Sequence, residues 1–291
     1  MLPLLRIEKG ALEKHYYQEP RLLGERGLER VLEEGKRYNI AETLASGGSV
    51  IFPHTFINNC GYQIAAVVHA CLDSGCDQVL VLGVIHRLTE DLKRCRVREV
   101  NGEDVSKEPL RGILGPGIER DNCWQNEYSL FMFETLWNSE VKRRGITPPR
   151  LIKRYPHLVN CSPETLPGID ELKDLAKDSL VVATSDFCHH GVAYGVPKST
   201  AKSFGEEAIR FAHEKIKSSL ELLQNGFYDE YYKSCLHPEA YSDSFDVSPV
   251  LRYLLGPKKV HIEDMKIVDT SPLFEQEPTP SWVAASLITL N

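Results

Sequence analysis

The sequence lacks the features that mark membrane-spanning and secreted proteins. No apolar run in its 291 residues approaches the roughly 20 residues that a membrane-spanning helix needs. The stretch from Met1 to Arg6 has too short an apolar segment to predict a signal peptide. The eight cysteines are scattered, without a CxxC pair or the spacing of a small disulfide-bonded domain. We therefore expect a cytoplasmic protein with reduced cysteines and no membrane association.

Three other common classes of protein are disfavoured by what is missing. The net charge is −7, and the densest basic cluster is only Lys142 to Arg144, next to Gly145. Basic side chains suit the end of a helix, so this cluster does not predict binding to nucleic acid. The sequence also has no glycine-rich phosphate loop ending in GKS or GKT and no GxSxG motif. Nucleotide-binding P-loop proteins and serine hydrolases are therefore not expected.

Apolar segments of strand length alternate with amphipathic segments of helix length over most of the chain. The predicted strands are 48–53, 78–85, 151–155, 179–184, 260–268 and 282–290, and the predicted helices are 20–36, 61–74, 126–144, 169–177, 202–223 and 247–255. Residues 95–121 are predicted to form hairpins or a loop. This alternation predicts a single α/β domain over residues 1–291, with a mostly parallel central sheet flanked by helices.

Two histidines each follow a predicted strand. His54 ends the stretch Ser49-Val-Ile-Phe-Pro-His, and His86 ends the stretch that begins at Gln78. One helix-sized segment separates the two strands, so we expect them to pair in parallel and to end at the same edge of the sheet. Ligands of open α/β sheets bind at that edge, and neutral imidazole is a common metal ligand. The pair predicts a metal site, whereas a lone histidine would be expected to cap a loop.

A third polar cluster, Thr184 to His189, follows the predicted strand 179–184. It brings a carboxylate, Asp186, and an imidazole, His189, to the same predicted edge. Asp186 is a candidate for orienting a ligating or proton-transferring histidine, and His189 is a candidate general acid or base. The alternative is a polar loop in which Asp186 caps the following turn.

These stretches resemble the Memo family, which is related to the B subunits of class III extradiol ring-cleavage dioxygenases. The family motifs run approximately PHAGYxxSG, LGPxHH and SSDFxHxG, and their counterparts here are Pro53-His54 with Cys60-Gly61, 82–86 and 185–189. The resemblance covers roughly residues 45–255. It implies a mononuclear site with His54 and His86 as ligands and with Asp186 and His189 lining it. In the dioxygenase relatives, two histidines and a carboxylate hold a ferrous ion that binds substrate and O₂ together.

The sequence departs from the family pattern in ways that alter the expected pocket. Residues 55–57 are bulkier than the Ala-Gly-Tyr of the family. The family stretch close to EHSxExHLP is Glu127 to Phe133 here, with Tyr128 at the first histidine position. We expect Tyr128, Phe131 and Phe133 to form an apolar substrate wall, and Tyr128 is a candidate catalytic residue.

The third metal ligand is less clearly marked. Memo proteins place a cysteine shortly before a late proline, and that position falls on or beside Phe245 here. Asp246 is the first choice for a replacement carboxylate and Asp243 the second, because two histidines and one carboxylate suit ferrous iron. The alternative is that both aspartates cap the helix predicted at 247–255.

The expected function is that of a non-haem, metal-dependent oxidoreductase, dioxygenase-like or oxidase-like, that acts with O₂ on a small organic substrate, with aromatic compounds among the candidates. Fe(II) is the favoured metal, with copper or zinc as alternatives. A different reading is a catalytically inactive, Memo-like binding or adaptor protein with a protein partner, and a less favoured one is a zinc-dependent hydrolase. Whether the chain forms a homo-oligomer is left open.

Overall fold

The computed structural model describes residues 11–86, 89–118, 123–274 and 280–291. All the residues singled out above as site candidates lie within these ranges. The helices are α1 Ala11–Gly35, α2 Ala41–Ala45, α3 Ile57–Asp73, α4 Glu90–Val100, α5 Phe131–Arg144, α6 Ile169–Lys177, α7 Glu206–Asn225, α8 Tyr228–Cys235 and α9 Val247–Leu255. The strands are β1 Ser49–Phe52, β2 Gln78–Leu82, β3 Gly112–Leu114, β4 Arg150–His157, β5 Leu180–Thr184, β6 His189–Gly191, β7 Val260–Asp269 and β8 Ser281–Leu290.

The eight strands form one sheet in the order β3-β4-β2-β5-β1-β8-β6, with β7 also paired to β8. The central strands β4, β2, β5 and β1 are parallel to one another. Antiparallel strands extend the sheet on both sides, with β3 next to β4 and β8 next to β1. The predicted α/β class, with a parallel central sheet flanked by helices, is confirmed.

The order of the central strands differs from the expectation in one respect. β1 and β2 are parallel but do not pair, because β5 lies between them and pairs with both. The carboxyl ends of β1, β5 and β2 are therefore three consecutive positions along one edge. This order brings the residues after β5 between those that follow β1 and β2.

Successive side chains of the central strands enter two different cores. Val50 and Phe52 of β1 pack in the core formed with α1, α3 and α5, whereas Ile51 packs in the core on the side of α6, α7 and α9. This alternation is what a strand covered by helices on both faces requires. Among the described helices, none combines enough length and apolar character to cross a bilayer.

Several element boundaries differ from the prediction, and two of the differences affect the surroundings of the site. Residues 95–100, predicted to belong to hairpins or a loop, form the second half of helix α4. Its buried face includes Arg96 and Glu99, so the apolar periodicity that predicts a helix is interrupted there. Helix α3 begins at Ile57, four residues before its predicted start. Residues 58–61 are therefore its first turn rather than a separate turn that precedes it.

A buried carboxylate joins α5 to α3 and makes stability dependent on pH. Glu140 accepts hydrogen bonds from Arg143 and Arg144, and His69 of α3 lies 3.3 Å from it. Burial alone would raise the pKa of Glu140, but the two guanidinium groups outweigh it and lower the pKa to about 2. A carboxylate with a depressed pKa stabilises the fold at neutral pH, and that stabilisation is lost as pH falls from the unfolded value of 4.5 towards 2.

We expect Glu140→Gln to lower the free energy of unfolding at pH 7 by about 2 kcal/mol, after allowance for solvent screening of the partly exposed arginines. At pH 3 the difference from the wild type should be less than half as large, because the native carboxylate is then losing its advantage over the unfolded chain. Urea unfolding of both proteins at the two pH values measures this. A difference that does not change with pH would contradict the assignment.

Candidate metal centre

The candidate site lies at the carboxyl edge of β1, β5 and β2. His54 follows β1 after Pro53, which has no N–H to continue strand pairing. Asp186 follows β5, and His86 lies four residues beyond β2. Gly83 begins this last connection, where a Cβ atom would lie 2.4 Å from the ring of Tyr155. The side chains therefore meet because three parallel strands end side by side.

Three histidine Nε2 atoms converge on one carboxylate oxygen, Oδ2 of Asp243, in the loop before α9. Nε2 of His54 lies 3.1 Å from this oxygen, and Nε2 of His86 lies 3.4 Å from it. Nε2 of His189 is more distant, at 3.9 Å. When two donor atoms bind the same ion at about 2.1 Å, they lie about 3.0 Å apart in octahedral geometry and about 3.4 Å apart in tetrahedral geometry. Asp243 has this spacing to both His54 and His86, whereas its distance to His189 is longer.

Two groups of residues that could hold a metal ion occur in the part of the chain that the structure describes. The first is His54, His86 and Asp243, and the second is Asp186, His189 and Asp243. Within each group all ligand atoms lie within 4.8 Å of one another. Asp243 belongs to both groups, so the two share one carboxylate at the centre.

The ring of His54 is oriented by Thr184, the last residue of β5. Nδ1 of His54 lies 3.1 Å from the hydroxyl of Thr184, and that hydroxyl donates its only proton to the carbonyl of Phe52 at 2.9 Å. The hydroxyl must therefore accept from His54, so Nδ1 of the ring carries a proton. Nε2 of His54 is left to face Asp243.

His86 and His189 are oriented in the same way. Nδ1 of His86 lies 3.0 Å from the Glu127 carboxylate, and Nδ1 of His189 lies 3.1 Å from the backbone carbonyl of Tyr241. Both partners can only accept when Glu127 is ionised, so both rings donate from Nδ1. All three rings thus turn Nε2 towards Oδ2 of Asp243. At each of these nitrogens, a metal ion would compete with a proton shared with Asp243.

The Asp243 carboxylate is also held from behind. Its Oδ1 accepts hydrogen bonds from the hydroxyl of Ser185 at 2.8 Å and from the backbone N–H of Asp186 at 2.9 Å. Oδ2 is consequently the oxygen that faces the histidines. Such fixed outer partners set the direction of a ligating carboxylate and are part of most metal sites.

The pKa values of the two closer histidines reflect the surrounding negative charge. Burial by itself lowers the pKa of His54, but the carboxylates of Asp186 and Asp243 raise it by more. Burial also opposes protonation of His86, yet Glu127 and Asp243 raise its pKa to about 10. The centre therefore favours positive charge at the point where the rings converge, as a cation site requires.

Asp186 and His189 line the site, and of the two kinds of histidine that Asp186 was expected to orient, it lies beside the candidate ligand, with its Oδ2 3.5 Å from Nε2 of His54. Nδ1 of His189 is bound to Tyr241, whereas Oδ2 of Asp186 accepts a hydrogen bond from Thr55 at 2.8 Å. Oδ1 of Asp186 is buried without a partner among the described residues. Burial raises the pKa of Asp186 and lowers the pKa of His189. The lowered pKa of His189 favours a neutral ring whose Nε2 is free to accept a proton.

Asp246, the first choice for the third ligand, is engaged elsewhere. Its Oδ2 pairs with Arg96 of α4, which also pairs with Glu99, and its Oδ1 accepts from the backbone N–H of Val159 at 2.9 Å. Both oxygens are therefore occupied in a buried ion-pair cluster. Asp243, the second choice, is the carboxylate that the geometry places beside the histidines.

A small cavity of about 30 Å³ lies beside the convergent groups. The rings of Tyr16, Tyr128 and Tyr194 line it together with the site histidines. Tyr128 stacks on His86 with 5.0 Å between ring centroids and an interplanar angle of 12°. Tyr128 therefore holds the plane of a candidate ligand and borders the cavity, as a residue of the expected pocket wall would.

The other two residues of the expected wall do not line this cavity. Phe133 is fully buried and stacks on Phe52 with 5.0 Å between ring centroids. Phe131 packs edge-on against Tyr17 at 4.7 Å. Both belong to the core between α5 and its neighbours, because α5 begins at Phe131 and turns these side chains towards the sheet and α1.

Several residues of the site were not identified from the sequence. Glu127, the partner of His86, is the first residue of the stretch that resembles a family motif, and this was the only indication of its role in the sequence. Thr184, the partner of His54, ends a predicted strand but has no pattern of its own. Tyr16 and Tyr194 reach the cavity from distant parts of the chain, and no sequence pattern indicated either.

Comparison with known proteins does not identify this chain. No protein-family model matches it, and no curated protein matches its sequence significantly. The resemblance to the Memo family therefore depends on the order of short motifs alone and stays a prediction. The structure itself shows groups of histidine and aspartate side chains that could hold a metal ion.

Proposed function

We propose that this chain is a non-haem, metal-dependent oxidoreductase, dioxygenase-like or oxidase-like, that acts with O₂ on a small organic, aromatic or similar substrate. Fe(II) is the favoured metal. The observation that carries the proposal is the position of Oδ2 of Asp243, which lies 3.1 Å from Nε2 of His54 and 3.4 Å from Nε2 of His86. Two histidines and one carboxylate are the set that suits ferrous iron in oxygenases.

Each residue of the centre has a separate task in this proposal. His54, His86 and Asp243 hold the ion, which, when bound, supplies open positions for substrate and O₂. Ser185 fixes the direction of Asp243 through its hydroxyl. His189 accepts a proton at Nε2 from a substrate hydroxyl, because its Nδ1 proton is already committed to a backbone carbonyl.

Burial supports chemistry that must exclude bulk water. His54, Asp186 and Asp243 are each no more than 2% exposed, and His189 is 5% exposed. Charge–charge interactions are stronger in such an environment than in water, and side reactions with solvent are suppressed. The described cysteines are all free thiols, which supports the proposed cytoplasmic location.

The proposal predicts that protein purified without oxygen contains about one iron per chain, because the donor set holds a single ion. Elemental analysis gives the metal, and an oxygen electrode then detects O₂ consumption with a panel of phenolic and other small organic compounds. Zinc as the only metal would favour hydrolysis through zinc-bound water instead. No metal even after reconstitution would favour the inactive binding protein.

A further inference from the structure

The first part of α1 covers the candidate metal centre. This covering segment, residues 15–23, precedes a kink at Gly24, where φ is 61° and ψ is −177°. Within it, Tyr16 is only 5% exposed and lines the cavity. Its ring centroid lies 4.7 Å from that of Tyr128 and 5.5 Å from that of Phe56. Tyr16 therefore forms part of the cavity wall together with Tyr128 and Phe56.

One buried carboxylate fastens the covering segment to the site. Glu19 accepts hydrogen bonds from the backbone N–H groups of Ile57 and Asn58, each at 2.9 Å. These N–H groups belong to the first turn of α3, where Phe56 offers no side chain that could accept them. Glu19 thus supplies hydrogen-bond acceptors for the first N–H groups of α3, the helix that follows the His54 loop.

The kink at Gly24 separates the covering segment from the rest of α1. A left-handed φ of 61° is readily adopted by glycine and is strained for most other residues. A Cβ atom at Gly24 would meet nothing within 4 Å, so the requirement for glycine there comes from the backbone conformation rather than from packing. The covering segment is consequently joined to the body of the helix at one conformationally permissive position.

The cavity beneath the covering segment is too small for a ring. Its volume of about 30 Å³ corresponds to one or two water-sized molecules, whereas a cavity that binds benzene measures about 150 Å³. Among the described residues, the ring of Tyr16 is one of the aromatic side chains that limit this volume, and it is the one carried by the covering segment. The arrangement therefore accommodates a two- or three-atom ligand such as O₂ or azide.

We infer that Tyr16 determines the size of ligand that reaches the metal. With the covering segment in place, the centre admits molecules of two or three heavy atoms, and a ring-sized molecule binds only when residues 15–23 move. This inference rests on the proposed metal site and adds a size limit to it. An organic substrate would then bind in a step that breaks the hydrogen bonds between Glu19 and α3.

The test uses the full chain loaded with Co(II), whose visible spectrum reports ligands that bind the ion. Azide is the small probe and imidazole the ring-sized probe. We expect Tyr16→Ala to increase imidazole affinity about tenfold or more, because it removes the need to populate an open state, and to leave azide affinity within about threefold. Tyr17→Ala is the matched control, since Tyr17 is the next residue and packs on Phe131 at 4.7 Å.

Glu19→Gln provides a second variant in which the Tyr16 ring is retained. It weakens the attachment to α3 and should raise imidazole affinity in the same direction. If cobalt binds but imidazole affinity is the same in the wild type, Tyr16→Ala and Glu19→Gln, the size limit is overturned and the metal site stands. A wild-type chain that binds no cobalt overturns both the proposed function and this inference.

Discussion

Replacing either His54 or His86 by alanine is expected to lower the Fe(II) affinity by well over 100-fold and to abolish turnover. Loss of an outer hydrogen-bond partner of a metal ligand costs roughly 10- to 100-fold in affinity, and loss of a ligand itself should cost more. Nε2 of His54 and of His86 lie 3.1 and 3.4 Å from Oδ2 of Asp243. The third histidine, His189, is farther away at 3.9 Å, so it is not positioned to take the place of either ligand. Anaerobic titration calorimetry with Fe(II) measures the change directly.

Two further variants show whether this loss is specific. His213 is exposed on α7, so His213→Ala should bind Fe(II) like the wild type. His189→Ala should retain most of the Fe(II) affinity but lose turnover, since His189 lies 3.9 Å from Asp243 and is assigned a proton rather than the metal. Unchanged affinity in both His54→Ala and His86→Ala would overturn the proposed centre.

Asp243→Asn and Asp246→Asn are expected to change different properties of the protein, the first its Fe(II) affinity and the second its stability. Asp243→Asn should lower Fe(II) affinity more than about 100-fold, because it removes the only negative charge proposed to bind the ion. Asp246→Asn should leave Fe(II) affinity nearly unchanged and lower the free energy of unfolding by about 1–3 kcal/mol, because buried Arg96 loses a charged partner. Metal titration and urea unfolding of both variants measure the two quantities.

This pair of substitutions separates two carboxylates that stand three residues apart. Both changes are isosteric and both residues are buried, so a general effect of disturbing this loop should appear in the two variants alike. Loss of Fe(II) binding in Asp246→Asn with retention in Asp243→Asn would reverse the assignment. Loss in both with no change in stability would indicate that the loop acts as a unit rather than through one ligand.

The positions of His54 and His86 could be inferred from local pattern alone. Each follows a short apolar run, and parallel strands necessarily deliver their carboxyl ends to one edge of a sheet. The prediction that the two strands pair was wrong, yet the two histidines still meet. They do so because both strands still end at the same edge, with β5 between them, and both rings reach Oδ2 of Asp243.

The choice between Asp243 and Asp246 could not be made from the sequence. It depends on Arg96, which lies 150 residues before Asp246 and occupies its carboxylate. Helix α4, which carries Arg96, was itself missed, because charged residues on its buried face interrupt the apolar pattern. A local pattern does not reveal an ion pair between segments so distant in the chain.

The sequence by itself determined the α/β class and the edge of the sheet where the candidate metal centre lies, because both follow from short-range periodicity and the parallel direction of the strands. Only the tertiary structure decided which carboxylate faces the histidines and which nitrogen of each ring is turned inwards. Only it placed Tyr16 over the cavity. These outcomes depend on contacts between residues far apart in the chain, such as Glu19 with α3 and Thr184 with His54, which no local pattern records.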